Sequence, residues 1–596
     1  MKRTALLLTV MLMTAMAWAA KANQQPTVVT QSDGTQLTVI LYGDEDFHYY
    51  ATTDGVILYS LDRSYYVANI ASDGTLTATS QLAHEPSQRS DDETALITAQ
   101  DRNTFLSTGT QKSQTAKVKR ESLAYNSTLL SHEGSPKVVV ILAQFSDVEF
   151  TVNEPYEAFY QYLNGDEIED KGNYNSYNYG SVRSYFKDMS FGNFTPQFDV
   201  YGPVTLNNEL SYYGDGDDYM SRFIPDVCKA MDDSLDFSSY DENGDGYVDL
   251  LYVIYAGYSE SIGGNSTDCI WPKSGTVSGG TYDGVTVYRY GVNNELNLTD
   301  EYTLSDGSPY INGIGLFCHE FSHCLGLPDL YVTSGTSTAY LDNQEMEYWS
   351  VMDSGTYLYN GYSPAAYTAW EREYLGWFAL DTLSSACQVE LSTIDNGGTA
   401  YRILNDSDAT GHEYYIVENI QQEGWNAHQY GHGMLAIHVD YDANAFSLSS
   451  NSVNNTAGHP RMTVLAADGT LDNIYSLSTT SEAMASYGGD PFPGTSNVTC
   501  LTDTSAVYPI VYNGSALAKP IYNIVEDEET GVVTFAFLET NDSESTGIMS
   551  IPASQYASDA IDNRIYTIDG RYVGTSTEGL KRGIYISGSK KIIVGE

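Results

Sequence analysis

Eleven consecutive residues, His319-Glu320-Phe321-Ser322-His323-Cys324-Leu325-Gly326-Leu327-Pro328-Asp329, constrain this chain more than any other stretch. Two histidines four apart project from one face of a helix. Gly326 is a natural helix stop, and Pro328 cannot continue a helix. The chain therefore turns, and Asp329 can return toward the two imidazoles. His319, His323 and Asp329 then make three ligands for one zinc ion, with a fourth position left open for water. Glu320, about 100° round the helix, reaches that water without ligating the metal. Glu347, further along the chain, is an alternative third ligand, because some zinc sites draw a glutamate from a second helix.

The rest of the sequence bounds what such a site serves. At 596 residues the chain exceeds one core, and its length predicts three or four domains. The 50 tyrosines favour strands over helix bundles. Acidic residues outnumber basic ones 78 to 28, for a formal charge of −50. That field repels nucleic acid and anionic membranes, and it suits an extracellular protein that binds hard cations. Lys2 and Arg3, an apolar run from Ala5 to Met16 and the small-residue site Ala17-Trp18-Ala19 read as a signal peptide over residues 1–20. The cut would follow Ala19, Ala20 or Ala22. No later segment has the length of a membrane span. Six scattered cysteines do not make a disulfide scaffold, and Cys318 and Cys324 point too far apart on a helix to bridge each other.

Residues 24–85 alternate polar and apolar between the turns Ser32-Asp33-Gly34, Thr53-Asp54-Gly55 and Ser72-Asp73-Gly74, a small antiparallel β unit. A polar stretch with the basic cluster Lys117, Lys119 and Arg120 follows. Residues 21–135 together read as a removable propeptide. Val138 to Phe145 and Leu250 to Tyr255 read as strands buried on both faces, and Ser181 to Met189 as a helix. Strands and helices around the histidine motif predict an α/β catalytic domain over 136–380. From 381 to 540 strands and turns predict an accessory β-sandwich, and 546–596 a compact β module beyond a polar hinge.

Downstream of the histidines, Trp349-Ser350-Val351-Met352-Asp353-Ser354-Gly355-Thr356-Tyr357 places a methionine in a tight turn. An elongated histidine motif followed by such a Met-turn is a metzincin-like zincin arrangement, although Asp329 stands where metzincins carry a third histidine. The chain resembles the M6 family of secreted bacterial peptidases, the immune inhibitor A-like group. The resemblance spans most of residues 136–540. It includes Tyr179 to Phe186, Ser190-Phe191-Gly192, Phe198 to Val204 and Val248 to Gly257 before the site, and Glu413 to Asn419 and Gly433 to Asp440 after it. It implies a zinc-dependent endopeptidase acting on proteins or peptides. His319, His323 and Asp329 would be its zinc ligands, Glu320 its general base and Met352 its Met-turn residue. Tyr357 is a candidate hydrogen-bond donor to the oxyanion. The rival reading is a catalytically silent M6-like surface protein that binds through its β domains.

Two further signals remain. Asp241, Asn243, Asp245, Tyr247 and Asp249 repeat oxygen ligands at alternate positions around Gly246, as in the first part of an EF-hand loop. Tyr252 stands where the closing glutamate would be, and a strand begins there, so the expectation is a calcium-binding turn. Gly214 to Asp218 is a weaker second candidate. The C-terminal residues, with Asp569-Gly570-Arg571, Leu580 to Ile586 and Lys590 to Val594, resemble the sorting domains of the type IX secretion system. That likeness implies secretion machinery as a partner and a secreted or surface-attached product.

Overall fold

In β8 (Lys137–Gln144) the residues Val138 to Ala143 are all apolar because they supply two cores at once. Side chains alternate across a strand. Val138, Val140 and Leu142 therefore join one cluster, and Val139, Ile141 and Ala143 join another on the opposite face. In β10 (Leu251–Tyr255), Tyr252 and Ile254 enter the first cluster, and Leu251, Val253 and Tyr255 the second.

This computed structural model describes residues 16–538 apart from 46, 110–129, 166–176, 215–218, 267, 300–302, 304–308, 334–344, 471–485, 505–510 and 515. Beyond them it describes the strands 565–567, 572–574, 583–587 and 590–594. The basic cluster Lys117, Lys119 and Arg120, the residues Asp215 to Asp218 and the polar hinge lie outside the described residues.

Besides β8 and β10, the central six-stranded sheet contains β1 (Met16–Ala19), β9 (Gln197–Thr205), β11 (Lys273–Tyr282) and β12 (Val285–Asn294). Its order is β1-β11-β12-β10-β8-β9. The last four strands run parallel, β11 is antiparallel to β12, and β1 is antiparallel to β11. The helix Met220–Met231 covers one face. The helices Pro155–Asn164, Val182–Met189 and Ile314–Leu325 cover the other, which puts the histidine motif beneath the sheet. Ser181 caps Val182–Met189 by accepting the Ser184 N–H.

Ahead of this sheet, β2 (Thr27–Thr30), β3 (Gln36–Gly43), β4 (His48–Thr52), β5 (Ile57–Leu61), β6 (Ser64–Ile70) and β7 (Leu76–Leu82) form an antiparallel meander. Its apolar face closes over the fully buried Trp271. Met16–Ala19, which the sequence assigns to the leader, forms strand β1 in the uncut chain.

After the central sheet and its helices come a five-stranded sheet, with Glu413–Ile420 and Gly433–Asp440 at its centre, and a three-stranded sheet of Cys387–Leu391, Val533–Phe537 and Ile521–Glu526. Tyr415, Val417, Met434 and Ala436 face the three-stranded sheet, whereas Ile416, Leu435 and Ile437 join the cluster that holds the helix Ile314–Leu325. One hydrophobic cluster thus includes residues on both sides of position 380. Residues 1–539 form one compact unit and 540–596 a second, whose four strands are hydrogen-bonded into one sheet. Cys228, Cys318, Cys324, Cys387 and Cys500 are free thiols.

Candidate metal centre

Ile314–Leu325 is buried along its whole length. Gly315 permits this, because a Cβ there would lie 2.0 Å from the Thr356 carbonyl oxygen. Gly326 ends the helix in the left-handed region at φ 110°, where glycine carries no steric cost. The turn brings Asp329 Oδ1 to 3.2 Å from His319 Nε2 and 3.2 Å from His323 Nε2. Two ligands of a tetrahedral zinc with bonds of 2.0–2.1 Å lie about 3.3 Å apart. These three atoms make no aligned hydrogen bond within the described structure, although all are buried. Their spacing, chemistry and free lone pairs fit zinc.

Both imidazoles are oriented by their other nitrogen. His319 Nδ1 donates to the Val351 carbonyl at 2.7 Å and His323 Nδ1 to the Leu327 carbonyl at 2.7 Å, leaving each Nε2 lone pair for a metal. The Val351 carbonyl belongs to the Met-turn, where Met352 is buried, its N–H donates to Ser350 Oγ and its carbonyl accepts the Leu330 N–H. The turn thereby holds both the His319 ring and the chain just after Asp329. In the metal-free pocket burial lowers the His323 pKa, but Asp329 and Glu320 outweigh it and the net is up to about 9. Asp329 is held well below the carboxylate range: burial raises it, and the two histidines more than reverse that. Burial pushes the Glu320 carboxyl well up.

Glu347 is not part of this cluster. It starts a short 3-10 turn, Glu347–Trp349, and its carboxylate groups with Glu345 and Asp353 instead. Tyr357 packs with Ala20 and Leu316 and donates to the Lys21 carbonyl at 2.6 Å. Glu320 Oε1 accepts the Ala20 N–H at 2.7 Å. Neither N-terminal contact is legible in sequence.

Asn451 is a further residue that sequence reading misses. It donates Nδ2 to Asp329 Oδ2 at 2.6 Å, while Asn454 donates to the Leu330 carbonyl and Asn455 accepts the Thr333 N–H. The only local signal is three asparagines within five residues.

In the acidic turn, Asp241 accepts the N–H groups of Asp245 and Gly246, and Asp249 accepts from Glu242 N–H and Asn243 Nδ2. The Tyr247 N–H goes to Asp245. Burial, with Glu242, Asp241 and Asp245 nearby, raises Asp249 to about 6 despite the Glu242 amide.

A buried helix thus carries two histidines whose Nε2 atoms converge with a carboxylate returning after a glycine turn. Residues 126–378 match the model of the immune inhibitor A peptidase M6, catalytic domain. Over 278 residues the chain is 27% identical to the pre-pro-metalloprotease PrtV of Vibrio cholerae serotype O1, covering 40% of this chain and 29% of that protein. Over 281 residues it is 26% identical to immune inhibitor A of Bacillus thuringiensis subsp. alesti, covering 40% of this chain and 39% of that protein. The match thus spans about a third of the length of these relatives.

Proposed function

We propose that this chain is a secreted zinc-dependent endopeptidase, made as a proenzyme, with His319, His323 and Asp329 as ligands and Glu320 as general base. The observation that carries the reading is the convergence of three metal-free donor atoms beside a buried glutamate whose carboxylate already holds a peptide nitrogen. Zinc, when bound there, supplies a Lewis acid that polarises a carbonyl and acidifies water. Glu320 takes a proton from the attacking water and hands it to the leaving nitrogen, so water is consumed and an acid and an amine are released. The 2.7 Å contact to Ala20 N–H supports that reach. Tyr357, donating to a backbone carbonyl of the same segment, orients the peptide.

Burial of Ala20 to Gln24 against the site supports the proenzyme reading, as does the pre-pro form named for the Vibrio relative. The acidic turn at Asp241 to Asp249 is a structural calcium site in this reading. The C-terminal unit is an address for secretion machinery, supported by its separation as a compact β unit. No helix among the described residues is long and apolar enough to cross a membrane.

Casein or gelatin cleavage by the processed wild type and by Glu320→Ala tests the proposal. Loss of cleavage in Glu320→Ala with zinc retained is the expected result. Equal rates, or an inactive wild type, would overturn it.

A further inference from the structure

The N-terminal segment runs past Glu320 in an extended form. β1 pairs with Lys273–Thr276 of β11, and Ala20 N–H donates to Glu320. The Ala20 carbonyl accepts Trp271 Nε1 at 3.0 Å, and the Lys21 carbonyl accepts Tyr357. The Asn23 N–H donates to the Ser261 carbonyl. These are backbone contacts that a peptide of any sequence can make, the mode by which a strand adds to a sheet edge.

Lys21 is different. Its Nζ lies 2.6 Å from Glu345 Oε2, 3.3 Å from Asp353 Oδ1 and 4.0 Å from Glu347 Oε2, with the Tyr331 ring 5.6 Å away. The lysine side chain is 6% exposed, and those of Glu345, Glu347 and Asp353 are 7%, 6% and 0% exposed. The carboxylates are fixed by the catalytic region itself. Asp353 Oδ2 accepts the Glu347 N–H and Oδ1 the Ser354 N–H, while Glu345 Oε1 accepts the Val332 N–H. Departure of the N-terminal segment therefore leaves the pocket standing. Buried carboxylates are costly unless a cation or a proton neutralises them, so the pocket favours a cationic replacement.

The register follows from the chemistry. Glu320 returns its proton to the leaving nitrogen, and Ala20 N is the nitrogen seated on it. Ala20 then marks the first residue after the cleaved bond, and Lys21 the second.

We propose that Glu345, Glu347 and Asp353 form a specificity subsite that selects Lys or Arg as the second residue on the C-terminal side of the cleaved bond. Lys21 occupies it as a substrate mimic. This inference rests on the peptidase reading above.

The test is to digest a mixture of unfolded proteins with the processed chain, from which the N-terminal segment has been removed, and to sequence the new termini. Lys or Arg at the second position should be enriched at least tenfold, and a Glu345→Gln/Glu347→Gln double variant should lose that enrichment. Cleavage without enrichment, or enrichment that the double variant keeps, overturns the inference and leaves the peptidase reading intact. Absence of cleavage overturns the peptidase reading, and the pocket is then read without activity. With zinc chelated to prevent self-processing, and in the chain expressed with residues 1–20 retained, Lys21→Met should speed amide exchange across Lys273–Thr276 at least tenfold, and Lys21→Arg should restore it. Equal exchange in all three proteins overturns the lysine pocket itself.

Discussion

Asn451 grips Asp329 at both ends: its Nδ2 donates to Asp329 Oδ2 at 2.6 Å, and its Oδ1 accepts the Asp329 backbone N–H at 2.8 Å. One amide from the accessory β region thus sets the carboxylate so that the other oxygen, Oδ1, faces the histidines. Groups that orient metal ligands typically contribute 10–100-fold in metal affinity. Asn451→Ala should weaken zinc binding by about that factor while the fold persists, and Asn451→Asp, which sets carboxylate against carboxylate, should weaken it further. Competition titration against a chelator measures both. Unchanged affinities would remove the accessory region from the metal site.

The same geometry yields a prediction for the third ligand. Asp329 Oδ1 lies at ligand spacing from both imidazoles, whereas Glu347 belongs with Glu345 and Asp353. Asp329→Ala should lose stoichiometric zinc, and Glu347→Ala should keep it, as read by metal analysis of the purified proteins. Loss of metal only in the Glu347 variant would reverse the assignment.

The histidine helix, its glycine stop, the Met-turn and the strands at Val138 and Leu251 were legible because their signals are local: periodicity, a breaker, a run of apolar residues. The helix Met220–Met231 was not, because Pro225 lies inside it and reads as a break. Nor were the partners of the site residues. Asn451 reaches Asp329 across 122 positions, and Ala20 reaches Glu320 across 300. No spacing rule connects residues that meet only through tertiary packing. The acidic pocket was hidden for the same reason: Glu347 had a visible spacing to the histidines, but the fold turns it toward Lys21.

The acidic turn predicts a response to calcium. Asp249 is raised to about 6 by burial and by the neighbouring carboxylates. A cation among Asp241, Asp245 and Asp249 would relieve that repulsion, and binding to the native state alone raises stability by mass action. Adding calcium to the zinc-loaded protein should raise Tm, and Asp249→Asn should lose most of the increase. A Tm indifferent to calcium in the wild type would leave the turn as a hydrogen-bonded loop and nothing more.

Glu413 gives the accessory region an acid-sensitive joint. Its carboxylate accepts the N–H groups of Tyr512 and Asn513, Asn405 Nδ2 and His438 Nε2. Burial raises its pKa, but these donors outweigh burial and hold it at about 2. His438 is lowered, chiefly by burial, against the pull of Glu413, so it is the neutral ring that donates. Both folded-state values lie below their unfolded ones. Their stabilisation is therefore complete above the ordinary histidine pKa, about 6.5, and is lost as pH falls through that value toward about 2. Glu413→Gln keeps the shape but loses the charge-assisted bonds, and it should cost about 1–3 kcal/mol at pH 7. Unfolding followed from pH 7 to pH 3 should show a shallower acid dependence in the variant. A parallel pair of curves would place the acid sensitivity elsewhere in the fold.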